Sequence, residues 1–249
     1  MRSSRIAVSL LAIVVALASA AVVLPARWLL SWVPASGPLA VVDADGTIWH
    51  GQAWIAIGYP ETRRMLTDPV QWQWRGWTMA LRHPWLRGPL VLAPGWDGMR
   101  LSAQQVRLPA AALTALGAPF NTMGPGGFLE VSWNALSTHQ PQAAGPLLDL
   151  LWRDASSAVT PLASLGDFRL RVASTGQALT LDLSTEHGPL DLTGHGAWDG
   201  RALRFQGQAK TTGDATAEQA AGLNGLLNLI GPRRGGAHVF GFPTLAAVP

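Results

Sequence analysis

Alternation of apolar and polar residues with a period of two is the feature that most restricts the fold of this chain. The apolar members of the three clearest segments are Phe168, Leu170 and Val172; Leu179, Leu181 and Leu183; and Leu203 and Phe205. Successive side chains of a strand point to opposite faces of its sheet, so the pattern predicts antiparallel strands covered on one face only. We therefore expect a mainly β chain with a curved antiparallel sheet whose apolar face contacts something else.

Glycine-containing turn signals divide the chain into hairpins. The letters Gly-Pro-Leu followed by Asp-Gly recur within residues 37–46, 88–98 and 188–200. An Asp-Gly pair can supply the positive-φ positions of a tight hairpin turn. The first hairpin is predicted to turn at Asp45 and Gly46 and to continue through the motif Gly-Thr-Ile-Trp-His-Gly, residues 46–51.

A tryptophan-rich stretch, Trp-Gln-Trp-Arg-Gly-Trp, follows this hairpin at residues 72–77. Trp72 and Trp74 share one strand face, but after Gly76 the apolar positions shift by one, beginning with Trp77. A β-bulge at Gly76 would absorb this shift and bend the sheet. We interpret these three rings as core residues, because large aromatic side chains dominate core burial. The alternative is a contact platform for a sugar or a lipid.

Two short helices are predicted to cover part of the apolar face. Residues 109–116 begin with proline and are followed by Gly117, which fits a short helix. Residues 214–230 begin with Asp214 as the predicted N-cap and carry an apolar stripe at helical spacing. That stripe consists of Leu223, Leu226, Leu227 and Ile230. Residues 237–241 are predicted to form a closing strand.

The N-terminus indicates export from the cytoplasm. Residues 6–24 are apolar and uncharged, and as a helix they reach roughly the ~30 Å thickness of a bilayer core. Arg2 and Arg5 precede them and favour a cytoplasmic N-terminus. We expect a cytoplasmic stub (1–5), a membrane anchor (6–24), an interfacial linker with Trp28 and Trp32 (25–36) and a periplasmic β-rich domain (37–249). A signal peptide cleaved after the small-residue site at 18–20 is the alternative.

Composition excludes two functional classes. Only 13% of residues are charged, with 18 Lys and Arg against 15 Asp and Glu, so no basic face for nucleic acid is expected. Cysteine is absent, which excludes disulfides and thiolate catalysis.

Motifs for catalysis and cofactor binding are missing from the sequence. It contains no Walker phosphate loop, no helical zinc-protease signature and no Gly-x-Ser-x-Gly elbow. His187, Asp191 and His195 share one strand face, but residues four apart on a strand lie roughly 13 Å apart, too far for one metal ion. We therefore predict no catalytic residue, no metal and no cofactor. A glycan hydrolase remains the enzymatic alternative and requires an Asp/Glu pair facing one cleft.

The first hairpin resembles that of the type II secretion system protein N family. The similarity rests on Gly46, Thr47, Ile48, Trp49 and Gly51 after an N-terminal membrane segment, with looser likeness at residues 108–113, 165–167 and 188–190. His50 stands where the resemblance leads us to expect a small polar residue. The resemblance implies an accessory, single-pass inner-membrane component with a periplasmic domain, no catalytic site and no cofactor.

The partners implied by the resemblance are the secretin and the inner-membrane platform proteins. A lipid-binding or lipid-transfer protein is the alternative from a different class. A one-sided sheet at the inner membrane can leave its apolar face open as a groove for acyl chains, as in periplasmic bridge-like lipid-transport proteins.

Overall fold

A computed structural model describes residues 12–15, 19–20, 22–28, 39–61, 63–96, 98–117, 120–138 and 144–242. Most of the predicted anchor, Trp32 and Asp97 lie outside the described residues. Residues 12–15, 19–20 and 22 are helical. None of the helices in the described ranges has both the length and the apolar character needed to cross a bilayer.

The described residues form mainly β-structure. In chain order the strands are β1 (Leu39–Gly46), β2 (His50–Ile57), β3 (Arg64–Met65), β4 (Val70–Arg75), β5 (Thr78–Arg82), β6 (Leu90–Gly95), β7 (Gly98–Leu101), β8 (Gln104–Pro109), β9 (Pro125–Trp133), β10 (Leu136–Ser137), β11 (Gly145–Ser157), β12 (Gly166–Ser174), β13 (Leu179–His187), β14 (Leu190–Trp198), β15 (Leu203–Thr211), β16 (Arg233–Arg234) and β17 (Ala237–Phe242). The helices that follow β1 among the described residues are a 3₁₀ helix (Ala110–Leu116), α1 (Phe120–Met123) and α2 (Ala217–Ile230). The mainly β fold class is therefore confirmed.

These strands build two antiparallel sheets, where the sequence led us to expect one curved sheet. The N-terminal sheet has the order β1-β2-β4-β5-β6-β7-β10, with β3 beside β2. The C-terminal sheet has the order β16-β17-β15-β14-β13-β12-β11-β9-β8. The two meet where Leu86 bridges Val106 of β8. Pro84 and Pro89 flank that contact and have no N–H to donate, so the ladder does not extend.

All three predicted hairpins form, as β1–β2, β6–β7 and β14–β15. In the first, however, the turn does not lie at Asp45 and Gly46. Pairing continues to Gly46 opposite Gly51, and the Thr47 N–H donates to the His50 carbonyl (2.9 Å). The turn therefore lies at residues 47–49, one step beyond the Asp-Gly signal.

The predicted β-bulge at Gly76 is wrong. Gly76 and Trp77 form the two-residue turn of the β4–β5 hairpin, in which Arg75 pairs with Thr78. Gly76 has a φ of +59°, which suits the first central position of a type II′ turn. The shift in apolar parity arises because the chain reverses, which places Trp74 opposite Met79 on one face.

Helix α2 covers one part of the apolar face of the C-terminal sheet. Its N-cap is Thr216, not the predicted Asp214, because Thr216 and Gln219 form a reciprocal capping box. The buried cluster beneath it contains Leu223, Leu226 and Leu227 of the helix with Ala155, Leu165, Phe168, Leu190 and Ala209. The predicted helical stripe thus faces the sheet.

A second part of this face stays half-buried. We call it the apolar stripe: two rows of paired residues across β9, β11, β12 and β13, namely Val131, Leu150, Leu170 and Leu183, and Trp133, Leu148, Val172 and Leu181. Each is only partly covered. On the opposite face, Arg169 pairs with Asp149 (3.1 Å) and Glu186 (2.9 Å). The predicted division into an apolar and a polar face is confirmed here.

Replacing Leu226 by alanine should destabilise the C-terminal sheet by about 2–5 kcal/mol, because a fully buried leucine leaves a cavity beneath α2. Leu229 on the same helix is 51% exposed, so Leu229→Ala should change stability by no more than about 0.5 kcal/mol. Chemical denaturation followed by circular dichroism would measure both. Equal losses for the two variants would contradict this packing.

Candidate functional site

The segment that follows the predicted anchor packs against the turn of the first hairpin. The Ile48 N–H donates to the Leu24 carbonyl (3.0 Å), and Pro25 forms an antiparallel bridge with Thr47. We call the unit made of residues 24–28 and the hairpin motif, residues 46–51, the junction. It joins the end of the apolar N-terminal run directly to the β-rich part of the chain.

Side-chain burial strengthens the junction. Ala26 is fully buried and belongs to a cluster with Ala44, Ala53 and Trp72. A small side chain at this position lets the segment approach the sheet closely. Next to it, the Arg27 guanidinium lies 3.6 Å from the Asp43 carboxylate, but both side chains are largely exposed, so this pair contributes at most about 1 kcal/mol. Packing of Ala26 is therefore the main side-chain contribution.

The Trp72 indole stabilises the turn through hydrogen bonds. Its N–H donates to the carbonyl oxygens of Thr47 (3.2 Å) and Ile48 (3.1 Å). The ring lies against Gly51, where an added Cβ would be 2.6 Å from ring atom Cζ2. Gly51 is thus required for the indole to reach the turn. Because a buried indole N–H needs an acceptor, ring and turn depend on each other.

The remaining motif residues shape the turn itself. Gly46 has a φ of +91°, which favours glycine. The Thr47 hydroxyl accepts from the backbone N–H groups of Trp49 and His50, both at 3.3 Å. These bonds replace the backbone pairing that the turn lacks, as expected for a threonine turn.

Trp49 and His50 point to opposite faces, as predicted. The Trp49 carbonyl accepts from the Trp74 N–H (2.8 Å), and their rings meet edge to face with centroids 6.5 Å apart. His50 pairs with Gln73 on the other face of the sheet. The His50 side chain still contacts the turn, because its Nδ1 lies 3.3 Å from the Thr47 hydroxyl oxygen.

The three predicted core aromatics occupy different environments. Trp72 is 7% exposed and lies in the core, and Trp74 packs against the same cluster. Trp77 is 86% exposed at the tip of the β4–β5 turn. The first two rings therefore pack in the core, and Trp77 lies outside it because Gly76 ends the strand before it.

An open polar groove of about 410 Å³ lies on the opposite face of the N-terminal sheet. Its polar lining comprises Asp45, His50, Gln52, Gln71, Gln73 and Arg82. Asp45 is the one carboxylate among these described lining residues, and it accepts from the Gly46 N–H (2.8 Å). The acid pair that a glycan hydrolase needs is not present in this groove.

Two of the three residues considered as metal ligands, His195 and Asp191, have separate partners. His195 Nδ1 lies 2.6 Å from Asp182 Oδ1, and Asp191 lies 3.5 Å from the Lys210 ammonium. In the part of the chain that the structure describes, no three His, Asp or Glu side chains are grouped to hold a metal ion. Hydrogen bonds from the Ala202 and Arg201 N–H groups lower the pKa of the Asp199 carboxyl, a turn residue.

Sequence reasoning missed the junction. Residues 25–36 were predicted to form an interfacial linker, but the first four of them are described and include the buried Ala26. The available signal was weak: a proline and an alanine directly after the apolar run. Neither residue type predicts a contact with a turn that lies more than twenty positions later in the chain.

Comparison with known proteins gives one result. The family model for type II secretion system protein N matches residues 37–240. No curated protein and no solved structure matches the chain. The matched span contains the hairpin motif, the Trp72 region and most of both sheets.

Substituting Gly51 by alanine should weaken the junction, because its Cβ would lie 2.3 Å from the Asp45 carbonyl and 2.6 Å from the Trp72 ring. We expect a loss of about 1–3 kcal/mol from overpacking and faster trypsin cleavage after Arg27. Gly213→Ala is the matched control, since an added Cβ there meets nothing within 4 Å. Unchanged cleavage in the Gly51 variant would show that the indole does not hold the turn.

Proposed function

The chain belongs to the type II secretion system protein N family, and from this premise we propose that it is an accessory inner-membrane component of that machine. Residues 6–24 anchor it in the membrane and the β-rich domain lies in the periplasm. Its role is to assemble or stabilise the envelope-spanning complex through protein contacts, without catalysis. The secretin and the inner-membrane platform proteins are the proposed partners.

The junction is the observation that supports this role. Without it, residues 25–36 would be a flexible tether with a span on the order of 20 Å. The hydrogen bond from Ile48 to Leu24 and the burial of Ala26 instead join the end of the anchor to the sheet. A domain held in this way presents the same surfaces to its neighbours at a fixed distance from the bilayer, which suits an assembly component.

Strand β1 offers the surface for such contacts. It lies at the edge of the N-terminal sheet, and Leu39 and Val42 are exposed on it. Further along the strand, the Asp43 and Asp45 carboxylates accept from the next N–H groups, at 2.9 and 2.8 Å. Acidic residues of this kind limit unspecific edge pairing. The part of β1 that carries the exposed Leu39 and Val42 is the proposed site for strand addition by a secretion partner.

Ala26→Leu should lower exoprotein release several-fold in a deletion strain complemented at equal protein level. The larger side chain cannot fit the fully buried site, so residues 24–28 leave the hairpin. The substitution is apolar and keeps the membrane segment intact. Secretion is measured by quantifying exoprotein in the medium.

Val23→Leu is the matched control, because Val23 lies just before residues 24–28 and its side chain is exposed. It should secrete like the wild type. Normal secretion from Ala26→Leu would exclude a role for the junction, and normal secretion from the deletion strain would exclude the proposed function.

The apolar stripe favours lipid binding as a second candidate. Its residues are half-buried and lie outside the cluster beneath α2. On the same face, the Phe205 ring lies flat against Gly194 and Gly196, where an added Cβ would be 2.6 Å from the ring in each case. The Phe240 ring covers Gly207 similarly. The two phenylalanine rings therefore extend the apolar surface across β14 and β15. An acyl chain requires a continuous apolar surface of this kind.

A photoreactive amino acid at Leu181 should form adducts with phospholipid in cells if the stripe is a lipid groove. The same amino acid at Asp182 is the matched control, because the neighbouring side chain points to the polar face. Adducts are detected by phosphate labelling of the purified chain. Absence of adducts at position 181, or equal adducts at both positions, would reject the lipid candidate.

A further inference from the structure

Three hairpin turns lie side by side at one end of the N-terminal sheet. His50 pairs with Gln73, so the β1–β2 and β4–β5 turns are at the same end. Met79 pairs with Leu92, which brings the β6–β7 turn to that end as well. We call these turns, with residues 47–49, residues 76–77 and Trp96, the tip row. At ~4.8 Å between neighbouring strands, the row is about 20 Å long.

Exposed tryptophans mark this row. Trp77 is 86% exposed and the Trp96 side chain is fully exposed. An indole buries 150–250 Å² when it is covered. Covering the two exposed rings on adjacent turns would therefore be strongly favourable. Tryptophan is also the residue type that is enriched at membrane–water interfaces, where its apolar ring and its N–H are both satisfied.

The junction lies at the same end of the sheet as the tip row. The Leu24 carbonyl accepts from Ile48, a residue of the first turn, so the apolar run of residues 6–24 ends beside the tip row. Trp28 in the packed segment is also exposed. The exposed Arg75 precedes the second turn and adds a cation that can contact lipid phosphates.

We propose that the tip row rests on the surface of the bilayer that holds the anchor, with Trp77 and Trp96 inserted at the level of the lipid headgroups. This inference rests on the membrane anchor of the proposed function. The strands of the N-terminal sheet then stand away from the membrane. Tyr59, which follows the far end of β2, lies about 26 Å from the tip row, because an eight-residue strand rises ~3.3 Å per residue.

The test uses the full chain reconstituted in vesicles of phosphatidylethanolamine and phosphatidylglycerol. The chain has no cysteine, so Trp77→Cys, Trp96→Cys and Tyr59→Cys each create a single site for a fluorescent label. All three side chains are exposed, and folding of the variants is confirmed by circular dichroism. Fluorescence is quenched with brominated acyl chains from the membrane side and with iodide from the water side.

We expect labels at positions 77 and 96 to be quenched several-fold more by brominated lipid than the label at position 59, and the reverse with iodide. If both tip labels are accessible to iodide, the proposal is wrong. If they are protected from iodide but not quenched by lipid, a second copy of the chain or another protein covers them, which also overturns it. Equal lipid quenching at position 59 would show that the sheet lies flat on the bilayer, which also overturns the proposal.

Flotation of the vesicles separates this inference from the proposed function. A chain that floats with the vesicles but has unquenched tip labels contradicts the tip-row proposal and leaves the anchor in place. A chain that does not float contradicts the anchor, and the tip-row proposal is overturned with it.

Discussion

One tryptophan holds the N-terminal part of the molecule together. The Trp72 ring lies in the core of the sheet, and its N–H donates to two carbonyls of the first turn. With those carbonyls directed towards the indole, the Ile48 N–H of the same turn is bonded to Leu24. The preceding segment then packs Ala26 against the same ring cluster. The core, the turn and residues 24–28 are therefore one cooperative unit, and loss of any contact weakens the other two.

Each sheet has one apolar face, and in each sheet residues outside the sheet cover part of that face. An antiparallel sheet with one apolar face needs a cover, since exposed apolar area costs ~25 cal/mol per Å². In the N-terminal sheet residues 24–28 supply part of the cover, and in the C-terminal sheet α2 does. Helix α2 has only fourteen residues, so the apolar stripe stays half-buried. A one-sided sheet with a short cover leaves surface available for a partner or a lipid.

Local patterns predicted local structure, and the errors have one cause. Alternation located the strands of the C-terminal sheet, and glycines located the hairpins, because both depend on neighbouring residues. Gly76 was misread as a bulge since parity alone does not separate a bulge from a chain reversal. The division into two sheets depends on β8 pairing with β9, and the junction depends on a contact between Ala26 and a distant turn. Neither has a sequence period that would reveal it.

Most residues of the hairpin motif meet a geometric requirement of the first turn. Gly46 supplies the positive φ, Thr47 caps the turn, Trp49 packs on Trp74, and Gly51 makes room for the indole. His50, which stands where the resemblance leads us to expect a small residue, lines the polar groove and places its Nδ1 3.3 Å from the Thr47 hydroxyl oxygen. Gly46, Thr47 and Gly51 thus serve the geometry of the turn. Through this turn, residues 24–28 are joined to the sheet.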